Sequence, residues 1–190
     1  MMVRFIQQIA RRRLRDGTAD CHERVDALFS GADLGSRIGY ERFLVAQATA
    51  FLPAERSLEE GGIAAVLGDW PSRRRSHLIA QDLRKLGQQL PSGEDAPTLN
   101  GTPALLGGAY VLEGPRLGAA LLRRQVPSHL PVAFLSSNYP GAWRTIVETL
   151  DEDLRDSHAI DQAIEAARSV FALFERSGQQ MSVRRITDVA

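Results

Sequence analysis

Apolar residues return every three or four positions along most of the chain, the period of a helix face rather than of a strand. Leu14, Thr18, Cys21, Val25 and Leu28 mark one amphipathic helix over roughly 6–29, with His22 and Phe29 beside the stripe. Gly31 and Gly35 end it. A second helix is expected from about Tyr40 to Phe51, stopping near Pro53, which can itself open the next helix with Glu55 in its first turn. A third begins after Pro71 with Ser72 as its cap and carries Leu78, Ile79, Leu83 and Leu86 to about Leu90. The polar stretch 91–100 reads as a loop. A Gly- and Ala-rich helix follows from Pro103 to about Val126, then a loop with three prolines through Pro140. Trp143, Ile146, Val147, Leu150 and Leu154 give another stripe, and Ile160 to about Phe174 the last. No strand alternation and no repeat of fixed period stand out. The expected fold is all-α: one helical domain over 1–176, then a flexible tail over 177–190.

Two places in this pattern carry chemistry. His22 lies one position off the apolar stripe, so its ring can reach the bundle interior, with Thr18 one turn before it and Asp26 one turn after. Such a histidine is either satisfied by neighbours at a helix seam or presented from a rigid helix as a metal ligand. The second place is the segment 105–122, which holds Gly107, Gly108, Gly114 and Gly118. Each glycine inside a helix costs about 1 kcal/mol relative to alanine, so four of them need a reason. Gly114 and Gly118 share a face, where the backbone can approach either another helix or a flat ligand. Pro115 removes a helical hydrogen bond and predicts a kink near Gly114.

The order of these two segments resembles the heme oxygenase family. Leu14-Arg15, then Thr18 and His22 four residues later, look like that family's proximal-helix signature. Tyr110-Val111-Leu112-Glu113-Gly114, with Gly118 four residues on, is similar to the distal-helix motif of its bacterial branch. Phe43-Leu44, Pro53-x-Glu55, Asp82-Leu83, Leu86-Gly87 and Gly141-x-Trp143 fit between and after them. The resemblance implies a helical bundle holding heme, as substrate and prosthetic group, between a proximal and a kinked distal helix. It implies His22 as the iron ligand, and Gly114 and Gly118 as the distal residues that lie close over the porphyrin. By position, Arg15, Tyr110 and Arg144 are candidates for the propionates, although each can serve as an ordinary solvated or core-edge residue. The implied reaction cleaves heme to biliverdin, carbon monoxide and ferrous iron with electrons from a ferredoxin or a reductase, and serves bilin supply or iron release. The chain departs from the animal enzymes at Pro115, where they carry an aspartate that helps hold a proton-delivering water.

Composition narrows the alternatives. Lys plus Arg and Asp plus Glu balance at 23 each, which argues against a nucleic-acid footprint. The basic runs Arg11–Arg13 and Arg73–Arg75 read as solvated helix faces, or as a docking surface for an acidic partner such as a small electron carrier. The single cysteine, Cys21, rules out an intrachain disulfide, makes a Cys-based zinc site untenable and suits a reducing compartment. With no signal peptide or spanning segment in view, the chain is expected to be cytoplasmic, free of membrane and monomeric. His77, His129 and His158 show no metal-ligand spacing and read as surface residues. Two further functions stay open: a heme-binding sensor or carrier without turnover, and a heme-free interaction protein on the same scaffold.

Overall fold

A computed structural model describes residues 9–92 and 95–187, and among them every regular element is helical. The helices are α1 (Ile9–Ser30), α2 (Arg37–Glu60), α3 (Trp70–Arg73), α4 (Ser76–Lys85), α5 (Gly101–Glu113), α6 (Ala119–Gln125), α7 (Ala133–Ser136), α8 (Ala142–Asp153) and α9 (Ser157–Thr187). Short 3₁₀ turns occupy Ile63–Ala65 and Gly114–Leu117. The long helix α9 packs against α5, α1 and α2, and the core lies between these four. Its apolar side chains are the ones the helical period selects, with Leu14, Leu44, Leu58, Leu106, Ile146 and Val170 fully buried.

Three boundaries differ from the sequence expectation, each for a physical reason. The second helix runs through Pro53 to Glu60. Phe51, Pro53, Ala54 and Leu58 are all buried there, and that packing outweighs the missing backbone donor. The expected helix over 72–90 is instead two, α3 and α4, with Ser72 inside the first rather than capping it. Buried Glu55 accepts the Arg75 and Ser76 backbone N–H groups at 2.8 and 2.9 Å, so a side chain from α2 starts α4. The tail expected from 177 continues α9 as far as Thr187; residues 188–190 lie outside the described set. Gly178 does not terminate the helix. A Cβ there would come within 3.0 Å of Leu28 Cβ, so the glycine lets α9 lie against α1.

Asp82 plays a role like that of Glu55. It is fully buried, and its two oxygens accept the N–H groups of Ala133 and Phe134 at 3.0 and 2.8 Å, starting α7. Ser36 caps α2 by accepting from Gly39 N at 3.1 Å. Tyr40 donates to the Pro131 carbonyl at 2.9 Å, tying α2 to the proline-rich loop.

Candidate functional site

The kink expected at Gly114 is present. Helix α5 ends at Glu113, the chain turns through a 3₁₀ segment containing Pro115, and α6 resumes at Ala119. The four glycines of this stretch separate into two kinds. A Cβ on Gly107 would lie 2.1 Å from the Ala163 carbonyl oxygen, and one on Gly108 would lie 2.7 Å from Leu99. These two serve helix packing. A Cβ on Gly114 or Gly118 would find its nearest atom at 3.9 Å, and Gly118 is exposed. Gly118 faces open space, whereas Gly114 has the Trp143 ring at van der Waals distance.

Beside the kink, between it and the C-terminal half of α1, lies a cavity of about 340 Å³. Its walls include Val25 and Asp26 of α1, and Val111, Leu112, Pro115 and Ala119 of the distal segment. Six of the chain's seven phenylalanines line it: Phe29, Phe43, Phe51, Phe134, Phe171 and Phe174. Its polar wall residues are Asp26, Ser30, Gln47 and Arg75. A larger groove of about 850 Å³ lies between α2, the 87–92 loop and α9, and shares no residue with this one. The aromatic cavity is the better site for an apolar, flat ligand, because such sites are apolar pockets with a few convergent polar groups.

His22 stands at the rim rather than in the interior, with its side chain 60% exposed. Its Nδ1 lies 3.0 Å from Asp26 Oδ2, and its ring meets Phe171 edge-on with centroids 6.0 Å apart. Both contacts are cavity-wall residues, so the imidazole is held at the opening with Nε2 outside that pair. One turn earlier, buried Thr18 donates to the Leu14 carbonyl at 2.8 Å, which commits its hydroxyl to the helix. Cys21 is core, as expected from its position, and accepts a contact from Arg24 Nη2 at 3.4 Å.

The three remaining predicted residues lie one each on α1, α5 and α8, and α8 packs against both of the others. Tyr110 is half-buried, with its ring 5.4 Å from that of Trp143. Burial pushes its hydroxyl pKa up, while the positive fields of Arg11 and Arg15 oppose the rise. Arg15 itself is exposed and bonded to Asp16 at 3.0 Å. Arg144 is exposed, beyond Trp143, with Glu148 at 3.9 Å. His77, His129 and His158 are exposed, and among the described residues no cluster of ligating side chains could hold a metal ion.

The basic run Arg73–Arg75 is neither a solvated face nor a docking surface. Arg73 and Arg75 are buried, and only Arg74 reaches solvent, where it pairs with Glu59. The Arg75 guanidinium lies over the Phe51 and Phe134 rings at 4.8 and 5.2 Å, and its Nη2 donates to the Leu112 carbonyl at the end of α5. Burial, joined by the neighbouring Arg116, brings its pKa down to about 10 against the pull of Glu113 and Glu55, so it stays charged at neutral pH. The i,i+4 spacing of Asp69 to Arg73 and the i,i+3 spacing of Glu113 to Arg116 are visible in the sequence. That these pairs meet each other under the kink is not, because it depends on how α3 packs against α5. The Arg11–Arg13 run does face solvent, and makes surface pairs such as Arg12 with Asp16 at 3.5 Å and Arg13 with Asp161 at 2.7 Å.

No family model matches the chain. A heme oxygenase of Xanthomonas campestris pv. campestris (strain 8004) is 29% identical over 127 residues, covering 63% of this chain and 76% of the relative. Among solved structures, the NO- and CO-bound heme oxygenase from Neisseria meningitidis superposes with a TM-score of 0.77 at 23% identity, covering 90% of both chains. Heme oxygenase from Leptospira interrogans gives a TM-score of 0.66 at 17% identity, over 92% of this chain and 98% of the other. At these identities the two structures speak for the fold.

Proposed function

We propose that this chain is a heme oxygenase, which binds heme in the aromatic cavity and cleaves it oxidatively to biliverdin, carbon monoxide and ferrous iron. The observation that carries this reading is a single juxtaposition. An imidazole held by a carboxylate stands at the rim of a phenylalanine-lined cavity, and the broken distal helix, through Val111, Leu112, Pro115 and Ala119 beside Gly114 and Gly118, supplies another part of its wall. His22 is the proximal iron ligand. Asp26 holds Nδ1, fixes the ring and raises its basicity, which leaves Nε2 for the metal. Gly114 and Gly118 allow the distal backbone to lie close over the macrocycle, where a larger side chain would stand in the way. Arg15, Tyr110 and Arg144 receive the propionate edge: Arg15 acts electrostatically on the Tyr110 hydroxyl, and Arg144 follows Trp143, whose ring packs against Tyr110. Bound heme supplies the oxygen chemistry; the protein supplies orientation and water exclusion. The electrons come from a ferredoxin or a reductase. Among the described residues no helix is long and apolar enough to cross a membrane. A reducing compartment, the cytoplasm, suits the single free cysteine, and a monomer is the proposed state.

A second reading rests on Pro115. It lines the cavity and contributes neither an N–H nor a polar side chain there, so a heme carrier without turnover is the alternative. The test is hemin titration followed by turnover. The full chain binds hemin one to one with a Soret band that His22→Ala alters, and with reductant and catalase present it yields biliverdin. An unchanged spectrum in His22→Ala overturns the ligand assignment. A stable hemin complex that gives no bilin favours the carrier.

A further inference from the structure

Residues 114–118 read Gly-Pro-Arg-Leu-Gly, and in this segment only the Arg116 side chain has hydrogen-bonding groups. A short 3₁₀ turn has poor internal hydrogen bonds, Pro115 removes one donor, and the flanking glycines are permissive. Its conformation therefore needs an external tether. That tether is Glu113, the last residue of α5 and 2% exposed. Its Oε1 accepts from Arg116 Nε at 2.9 Å and its Oε2 from Arg73 Nη1 at 3.2 Å. Arg73, with no side-chain exposure, is anchored to Asp69 at 2.6 and 2.8 Å and to the Ala142 carbonyl at 3.0 Å. Arg116 reaches on to Ser137 Oγ at 3.1 Å and to the Arg73 carbonyl. The turn is thus bound through one carboxylate to α3 and to the start of α8.

We propose that Glu113 is a positioning residue: through Arg116 and Arg73 it sets the position and shape of residues 114–118, whose Pro115 lines the cavity, and so the part of the macrocycle that faces this turn. This rests on the heme reading above. Both carboxylate oxygens are engaged, each by a different guanidinium, so Glu113→Gln must turn an NH₂ toward one of two cations. The shape is kept while the bridge is broken.

The experiment uses the full-length chain. In apo Glu113→Gln, hydrogen exchange at the Gly118 amide, which donates to the Pro115 carbonyl at 3.1 Å, rises by about tenfold while the amides of α9 stay protected. In the hemin-loaded protein, reduced under carbon monoxide, the C–O stretch shifts and the bilin isomer mixture changes. A folded Glu113→Gln protein with the wild-type C–O stretch and isomer mixture overturns the proposal, even if exchange rises, because Glu113 then acts on fold alone. If Glu113→Gln does not fold, Arg116→Met removes one arm and leaves the Glu113–Arg73 pair, and the same two spectroscopic criteria decide. Failure of the unmodified chain to make bilin strikes the oxygenase reading instead; the C–O stretch still tests the tether.

Discussion

Gly107 and Gly118 stand eleven residues apart in one glycine-rich stretch and call for opposite outcomes when substituted. A Cβ on Gly107 would lie 2.1 Å from the Ala163 carbonyl oxygen and 2.9 Å from its carbon, both backbone atoms of α9. Carbon–oxygen contacts settle near about 3.3–3.6 Å, so the two helices must separate by roughly 1 Å. Overpacking of this kind costs about 1–3 kcal/mol, and a backbone obstacle places Gly107→Ala at the upper end. The alanine recovers about 1 kcal/mol of helix propensity, leaving a net loss of about 2 kcal/mol. For a chain of this size that lowers Tm by about 4–8 °C. At Gly118 the nearest atom to a built Cβ is 3.9 Å away and the residue is exposed, so Gly118→Leu leaves the apo fold and its Tm close to wild type. If that open face covers the substrate, the same variant binds hemin more weakly or shifts the bilin isomer ratio, whereas folded Gly107→Ala keeps the wild-type ratio. Apo melting by circular dichroism, hemin titration at the Soret band and chromatography of the bilins measure all three quantities. A Gly118→Leu protein with wild-type hemin affinity and isomer ratio removes Gly118 from the substrate face. A Gly107→Ala protein as stable as wild type removes the close α5–α9 approach.

Asp26→Asn weakens the hold on His22 Nδ1; hemin affinity falls about tenfold, and the iron–imidazole stretch of the ferrous form moves to lower frequency. An unmoved stretch would show that the carboxylate does not act on the ring. Asp82→Asn must present NH₂ to one of two buried backbone donors, at a cost of about 1–3 kcal/mol read by chemical denaturation; a change within error would mean the α7 start is held otherwise. The hydrogen bond from Arg73 holds Asp69 below its ordinary 3.8, so its contribution is fully present above that pH and is lost as pH falls through the depressed folded value. Asp69→Asn therefore flattens the acid limb of the stability curve below about pH 4, and an unchanged acid limb would remove Asp69 from the linkage.

The helical class, the stripe that buries α1, and the break at Gly114 were all legible in the chain itself. They depend on a 3.6-residue period and on what glycine and proline do to a local backbone. The pairing of His22 with Asp26 was also within reach, because residues four apart on a helix are neighbours whatever surrounds them. Other features depended on packing between distant segments. Glu55 and Asp82 look like ordinary acidic residues, yet each starts a helix 20 or more positions away in sequence. Arg73 and Arg75 read as solvated charge and are buried under the distal turn, because their partners Glu113 and Leu112 arrive from 37 to 40 residues further along. The four distal glycines share one local signal. Only the path of α9 decides that Gly107 is filled by a neighbouring backbone and Gly118 is left open, since a residue without a side chain carries no mark of what will occupy its place.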